Sequence, residues 1–251
     1  MRVNLADFSA VVSDIDYTLV DFDKGHQAAI KAFAQLFGKQ FADEVNRVFY
    51  LILEGLRRSE DADWQGMPMF QEVMDQIQQL QSPSLATYGL KPWSREAWII
   101  IVAKKLQITL TPGRVEAGRD VYWNTLSENI VLYEDAKAFL EAIQQVEIPL
   151  ILMTSSDSIC RVVEDYSVLY DPTYSEQYKR RRLKRLPLSY QELVIGDPID
   201  KPDPRFFDKV FQEVAQYGNL PLGKILVIGD SERSDLQEPR RRGCATLLVT
   251  R

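Results

Sequence analysis

The sequence predicts an α/β protein, a Rossmann-like parallel sheet core with an inserted all-helical cap domain. Short apolar runs typical of buried strands alternate with helical patterns at the start of the chain and throughout its second half. Residues 22–129 show helical periodicity with almost no strand signal. The 251 residues leave room for two domains. We therefore expect a core over 1–21 and 130–251 and a cap over 22–129.

The first predicted element, within residues 8–20, is a buried strand that ends in two carboxylates. The apolar Val11 and Val12 are followed by Asp14 and Asp16. In open α/β sheets, ligands bind outside the carboxyl ends of the parallel strands. Asp14 and Asp16 are therefore the first candidates for catalytic residues.

The insertion is expected to consist of amphipathic helices joined by turns. Apolar spacing predicts helices near 28–38, 45–56, 69–80, 95–106 and 114–126, with turn-rich segments at 59–67 and 81–92.

After the insertion, strands and helices alternate. Four strands are predicted at 150–153, 193–196, 224–228 and 245–249. Asp135 is expected to cap a helix that buries Ala138, Phe139, Ala142 and Ile143, and a further helix is expected at 157–166. Asp203 before Pro204 is typical of a helix start. Asp235 is expected to cap a short helix with Pro239 in its first turn.

Polar residues follow three of these later strands, at positions where one phosphoryl-transfer site would need them. Thr154 follows the strand at 150–153, and Lys201 follows the strand at 193–196. Asp230 and Asp235 follow the strand at 224–228. With Asp14-Ile15-Asp16-Tyr17-Thr18 after the first strand, this order resembles the four motifs of the haloacid dehalogenase superfamily. The resemblance covers the whole chain and points to the phosphatase branch with a helical cap after the first motif.

The resemblance implies a role for each residue. Asp14 is expected to be the nucleophile that forms an aspartyl-phosphate, and Asp16 the general acid and base. Lys201 and the Thr154 hydroxyl are expected to contact phosphoryl oxygens, and Ser155 to donate an N–H at the start of the predicted helix. By family analogy dehalogenases lack the second aspartate, so Asp16 favours phosphoryl transfer. Thr18 is expected to hold the loop.

The concentration of carboxylates predicts a divalent cation. Two like charges about 4 Å apart repel by on the order of 4 kcal/mol at an effective dielectric constant of 20. Mg²⁺ takes oxygen ligands and usually shares them with phosphate and water. Following the family, we expect Asp14, Asp230 and the Asp16 backbone carbonyl to bind Mg²⁺, with Asp235 as a neighbouring or alternate ligand.

Composition narrows the class of partner. A net charge of −6 argues against a general nucleic-acid binder. No signal-peptide pattern or membrane-length apolar run is present, so we expect a cytoplasmic protein without a membrane partner. Cys160 and Cys244 lack metal-site spacing and are expected to be reduced core thiols.

The predicted function is Mg²⁺-dependent hydrolysis of a small phosphomonoester. Sugar phosphates, nucleoside monophosphates and short organic acid phosphates all remain candidate substrates, and the oligomeric state stays open. A phosphomutase of the same superfamily and a non-catalytic binding protein are the alternatives. The basic tract 179–185 is interpreted as a solvated helix face, with contact to an anionic substrate or a polyanion as the alternative.

Overall fold

The computed structural model describes residues 4–58 and 66–251 and confirms the predicted fold class. The chain divides into two compact units, each described here by itself. The sheet unit comprises Met1–Asp23, Ile130–Ser156 and Leu186–Arg251. The helical unit comprises Lys24–Asn129 and Asp157–Arg185. The segment 157–185 thus groups with the helices, whereas the sequence placed it in the core.

The described residues form nine strands: β1 (Ala10–Ser13), β2 (Val20–Asp21), β3 (Val131–Leu132), β4 (Leu150–Ser155), β5 (Cys160–Val162), β6 (Val168–Tyr170), β7 (Glu192–Gly196), β8 (Ile225–Gly229) and β9 (Ala245–Leu248). Five of them make a parallel sheet in the order β7-β4-β1-β8-β9. Its central strand β1 is buried throughout, as a parallel sheet covered on both faces requires.

The described residues also form ten α-helices: α1 (Phe22–Ala34), α2 (Ala42–Arg58), α3 (Pro68–Leu80), α4 (Ser82–Tyr88), α5 (Arg95–Lys105), α6 (Pro112–Asn129), α7 (Glu134–Gln145), α8 (Pro172–Leu183), α9 (Pro204–Ala215) and α10 (Gln237–Arg242). None of these is long and apolar enough to cross a membrane.

The start of α9 follows the predicted rule, and α10 ends at a glycine, as many helices do. The Asp203 side chain accepts a hydrogen bond from the Arg205 N–H, and Pro204 occupies the first helical turn. The apolar face of α9, which includes Phe206, packs into the sheet core with Val12 and Val227. Gly243 follows the last residue of α10 and terminates the helix. Its φ of 98° lies in the left-handed region, which favours a residue without a Cβ.

The helix predicted at 157–166 is wrong. The structure has an antiparallel hairpin there, β5 with β6, in which Cys160 pairs with Tyr170. Side chains of the helical unit bind its backbone: Glu96 accepts from the Cys160 N–H at 3.1 Å, and Glu116 accepts from the Val162 N–H at 3.2 Å. These contacts come from residues distant in the chain, so local periodicity carried no sign of them.

Smaller differences concern element bounds. Helix α7 begins at Glu134 with Tyr133 as its N-cap, so Asp135 lies in its first turn rather than capping it. It buries Ala136, Leu140 and Ile143, while Ala138 is exposed. Helix α4 forms within the segment expected to be a turn at 81–92. Of the predicted turn segment 59–67, residues 59–65 lie outside the described residues, as do residues 1–3.

Both cysteines are buried and form no disulfide, as expected. Cys160 lies on β5 and not on a helix.

Close packing of α2 against α3 generates a stability prediction. A Cβ on the buried Gly55 would lie 2.2 Å from the Phe70 ring, whereas a Cβ on the exposed Gly113 of α6 would meet nothing within 4 Å. We expect Gly55→Ala to lower the free energy of unfolding by about 1–3 kcal/mol despite the better helix propensity of alanine. Urea unfolding followed by circular dichroism measures it.

Gly113→Ala is the matched control, because it makes the same change in the same unit without a clash. We expect it to leave the free energy of unfolding unchanged or slightly higher. Equal stability of the two variants would contradict the packing argument.

Candidate active site

The candidate site lies at the carboxyl ends of the strands in the sheet unit. Asp14 directly follows β1, Asp230 directly follows β8, and Thr154 is the penultimate residue of β4. These three strands are neighbours in the sheet, so their ends meet at one edge. Lys201 reaches the same place from the loop after β7. The structure therefore brings together residues from three distant parts of the sequence: Asp14, Lys201, and Asp230 with Asp235.

The loop after Asp14 is a tight turn. Leu19 and Val20 both donate backbone hydrogen bonds to the Ile15 carbonyl, at 2.9 and 3.1 Å, and Tyr17 has a φ of 64°. The turn delivers the Thr18 hydroxyl to Asp14, where it donates to Oδ2 at 2.9 Å. Thr18 thus holds the loop, as expected, and fixes the candidate nucleophile at the same time.

The Lys201 ammonium sits between two buried carboxylates. Its Nζ is 2.6 Å from Asp14 Oδ1 and 2.6 Å from Asp235 Oδ1. All three side chains are at most 5% exposed. Burial alone would lower the pKa of Lys201, but Asp14 and Asp235 outweigh burial and hold that pKa well above its usual value. Lys201 is therefore a permanent positive charge beside Asp14.

Asp235 reaches the site because Gly229 has no side chain. A Cβ at Gly229 would lie 2.4 Å from the Asp235 Cβ. The Ser231 N–H donates to Asp235 Oδ2 at 3.0 Å and orients the carboxylate. The sequence suggested Asp235 as a helix cap, but Ser231 caps the turn that follows β8. Asp235 instead points its carboxylate to Lys201.

Asp14, Asp230 and Asp235 form a carboxylate cluster whose nearest oxygens lie within 4.8 Å of one another. If all three were ionised, their charges would exceed the positive charge of Lys201. Burial raises the pKa of Asp14 to about 8, against the lowering effect of Lys201, and Asp235 and Asp230 add to the rise. Carboxylate oxygens at this spacing suit a hard divalent cation, which would relieve the repulsion.

The remaining predicted residues surround this cluster. Asp16 lies in the turn, is partly buried and forms an isolated backbone bridge with Val20, and its carboxylate is not a member of the cluster. Thr154 is 1% exposed. Ser155 is the last residue of β4, and the next element is strand β5, so no helix begins directly after Ser155. The expected helix N-terminus for phosphate at Ser155 is therefore wrong.

Asp200 is a residue whose importance sequence reasoning missed. It accepts a hydrogen bond from the Ser156 N–H at 3.1 Å and one from the Lys201 N–H at 2.7 Å. A Cβ at Gly196 would lie 2.1 Å from the Asp200 carboxylate, so this glycine makes room for it. Asp200 thereby connects two segments: the residue directly after β4 and the loop that contains Lys201. Its place directly before Lys201 was the available signal.

Comparison with known proteins places this geometry in a family. The model of haloacid dehalogenase-like hydrolases matches residues 8–241. No curated protein matches the sequence significantly.

Solved structures share the fold at low sequence identity. A candidate β-phosphoglucomutase from Thermotoga maritima has a TM-score of 0.59 and 18% identity, over 97% of this chain and 86% of that one. A candidate hydrolase of the family from Bacillus subtilis, bound to magnesium, has a TM-score of 0.54 and 16% identity, over 96% and 88%. A 2-haloacid dehalogenase from Pseudomonas syringae pv. tomato DC3000 has a TM-score of 0.52 and 13% identity, over 96% and 86%.

The burial of Asp14 near Asp230 and Asp235 predicts that the free energy of unfolding depends on pH. Between the ordinary carboxyl pKa of 3.8 and the raised value of about 8, the folded protein binds a proton that the unfolded chain does not. Metal-free wild-type protein should therefore lose stability as the pH rises from about 4 to about 8. Asp14→Asn should remove this loss and be more stable at pH 8 by on the order of a few kcal/mol.

Urea unfolding in EDTA across this pH range measures the difference. Asp208→Asn, which changes an exposed carboxylate on α9, is the control and should follow the wild-type curve. Parallel curves for wild type and Asp14→Asn would contradict the prediction.

Proposed function

The chain belongs to the haloacid dehalogenase-like hydrolases, and within this family we propose that it is a Mg²⁺-dependent phosphatase. In this proposal it hydrolyses a small phosphomonoester through an aspartyl-phosphate at Asp14. The observation that carries the proposal is the carboxylate cluster of Asp14, Asp230 and Asp235 around Lys201, with Asp16 two residues beyond the candidate nucleophile.

The donor set of the cluster fits Mg²⁺. All the clustered side chains offer carboxylate oxygens, and described residues contribute no thiolate or imidazole to the cluster. The Asp14 and Asp230 carboxylates and the Asp16 backbone carbonyl would bind the ion. Asp235 would be a neighbouring or alternate ligand. When bound, Mg²⁺ supplies positive charge to the phosphoryl oxygens and keeps Asp14 ionised at neutral pH.

Asp14 and Lys201 would carry the first half of the reaction. An Asp14 carboxylate oxygen attacks phosphorus, and the bond from phosphorus to the ester oxygen breaks. The other oxygen of the carboxylate is held by the Thr18 hydroxyl or by Lys201, which limits its rotation. Lys201 and the Thr154 hydroxyl would stabilise charge on the phosphoryl oxygens, with Ser155 beside them on β4.

Asp16 would move the protons. It donates one to the departing alkoxide in the first step and accepts one from water in the second, when water attacks the phosphorus of the aspartyl-phosphate. The turn between Ile15 and Val20 fixes the Asp16 backbone relative to Asp14. A carbon–halogen bond needs no such acid, which is why we favour phosphate esters over haloacids.

The proposed partner is a small phosphorylated metabolite and the proposed location is the cytoplasm. The three substrate classes expected from the sequence remain the panel to be tested.

Hydrolysis of p-nitrophenyl phosphate tests the proposal. We expect turnover with Mg²⁺, loss of turnover in EDTA, and a fall in kcat of at least about 1,000-fold in Asp14→Asn, because the nucleophile is removed. Asp208→Asn should keep wild-type activity. A panel of phosphorylated metabolites, assayed by phosphate release, then identifies the substrate.

Absence of turnover on the whole panel, with folded protein and Mg²⁺, would overturn the phosphatase assignment. Turnover that requires a sugar bisphosphate and releases no phosphate would indicate a phosphomutase. Halide release from a haloacid would indicate a dehalogenase.

A second experiment separates the roles of Asp14 and Asp16. p-Nitrophenolate leaves without protonation more readily than an alkoxide does, so Asp16→Asn should slow the second step more than the first with this substrate. Rapid mixing should show a burst of p-nitrophenolate close to one per enzyme, followed by turnover roughly 100-fold or more below wild type. Asp14→Asn should show no burst. A burst of equal size in Asp14→Asn would contradict the assignment of the nucleophile.

A further inference from the structure

The basic tract 179–185 is not used by the proposed function. It spans the end of α8 and the two residues that follow. The interpretation as a solvated helix face is wrong for part of the tract, since Lys179 and Arg182 are 1% and 3% exposed. Both bind the buried Asp157, Lys179 at 2.9 Å and Arg182 through Nε at 2.8 Å.

The tract borders a cavity of about 200 Å³ within the helical unit. The cavity lies between α6 and α8, and its lining includes Asp120, Trp123, Tyr178, Arg181, Arg182 and Arg185. Drug-sized ligands occupy about 300–1,000 Å³, so this cavity suits a smaller molecule.

The charge of the cavity is positive. Three arginines face one carboxylate, and this carboxylate, Asp120, is engaged by other groups: Tyr178 donates to its Oδ1 at 3.0 Å and Arg119 at 2.9 Å. Arg181 forms no ion pair with any described residue. The Arg185 guanidinium donates to the neutral amide oxygen of Asn124, at 3.2 Å, and forms no ion pair with a described residue. Two guanidinium groups at the cavity therefore lack an anionic partner within the described chain.

The inner wall of the cavity is rigid. Two hydrogen bonds to Asp157, at 2.8 and 3.0 Å, fix the Arg182 guanidinium, whose centre lies 5.1 Å from the centre of the Trp123 ring. Burial would raise the pKa of Asp157, but Arg182 and Lys179 outweigh it and lower that pKa, so the carboxylate stays charged. Trp123 is 2% exposed, and its indole N–H has no acceptor among the described residues. This N–H has almost no accessible surface, so Trp123 contributes to the wall by packing and not by a hydrogen bond.

We propose that this cavity binds a small phosphate-bearing anion. Arg181 and Arg185 would pair with its phosphate oxygens, and Arg182 would supply a fixed positive charge. Planar guanidinium groups match phosphate oxygens in paired hydrogen bonds, and more than one such group selects a multiply charged anion. The site belongs wholly to the helical unit and does not depend on the proposed phosphatase activity.

Titration calorimetry with inorganic pyrophosphate in EDTA tests the proposal. Without a metal ion the carboxylate cluster of the sheet unit repels anions, so binding reports on the cavity. We expect binding with a stoichiometry of one and a Kd at least tenfold weaker in the double variant Arg181→Gln/Arg185→Gln. Both arginines are exposed, so the variant should keep its fold, which circular dichroism checks.

The matched control is Arg180→Gln/Lys184→Gln. It removes two positive charges from the same tract, and neither residue lines the cavity. We expect a change in Kd of less than threefold.

Three outcomes would overturn the proposal. They are no heat of binding up to 10 mM pyrophosphate, equal weakening in the double variant and its control, and tighter binding of a single-stranded 20-mer oligonucleotide than of pyrophosphate through the same two arginines. The last would identify an open surface for a polyanion. None of these results bears on phosphatase turnover, so failure here is separable from failure of the proposed function.

Discussion

The candidate site depends on one buried cation, Lys201, placed between Asp14 and Asp235. Without it, three ionised carboxylates at the ends of neighbouring strands would repel one another strongly, because each like-charge contact in a site sheltered from water costs several kcal/mol. One lysine does not balance three aspartates. The remaining negative charge makes the site receptive to a divalent cation and, through that cation, to a phosphate group that would otherwise be repelled. The same arrangement would be costly if its only purpose were stability.

Much of the sheet unit could be predicted because its rules are local. Short apolar runs give buried parallel strands, and the carboxyl ends of such strands are where polar groups gather. Asp14, Lys201, Asp230 and Asp235 each follow a strand in the sequence, and the structure brings them together. Asp203 before Pro204 likewise marks the start of α9 from two adjacent residues. The roles of these residues in a reaction stay predictions.

The segment 157–185 could not be predicted because its structure depends on distant partners. Glu96 from α5 holds the backbone of β5, and Arg119 from α6 donates to the Cys160 carbonyl at 3.2 Å. Periodicity cannot report contacts of this kind. The same holds for the buried basic residues, since Asp157 pairs with both Lys179 and Arg182 and compensates their charges. From the sequence alone, a charged helix is expected to face solvent, because the buried residue that pairs with its charges cannot be identified.

The order of the strands has a consequence for biosynthesis. The central strand β1 is made first, yet both strands that flank it come after the whole of Lys24–Asn129: Val11 pairs with Leu150 and with Leu226. An apolar strand thus emerges from the ribosome with two open edges, a state prone to wrong pairing. The helical unit is equally incomplete at that stage, because its second segment, Asp157–Arg185, follows β4. Each unit is completed only after part of the other has been synthesised, so the edges of β1 stay unpaired until β4 and β8 follow.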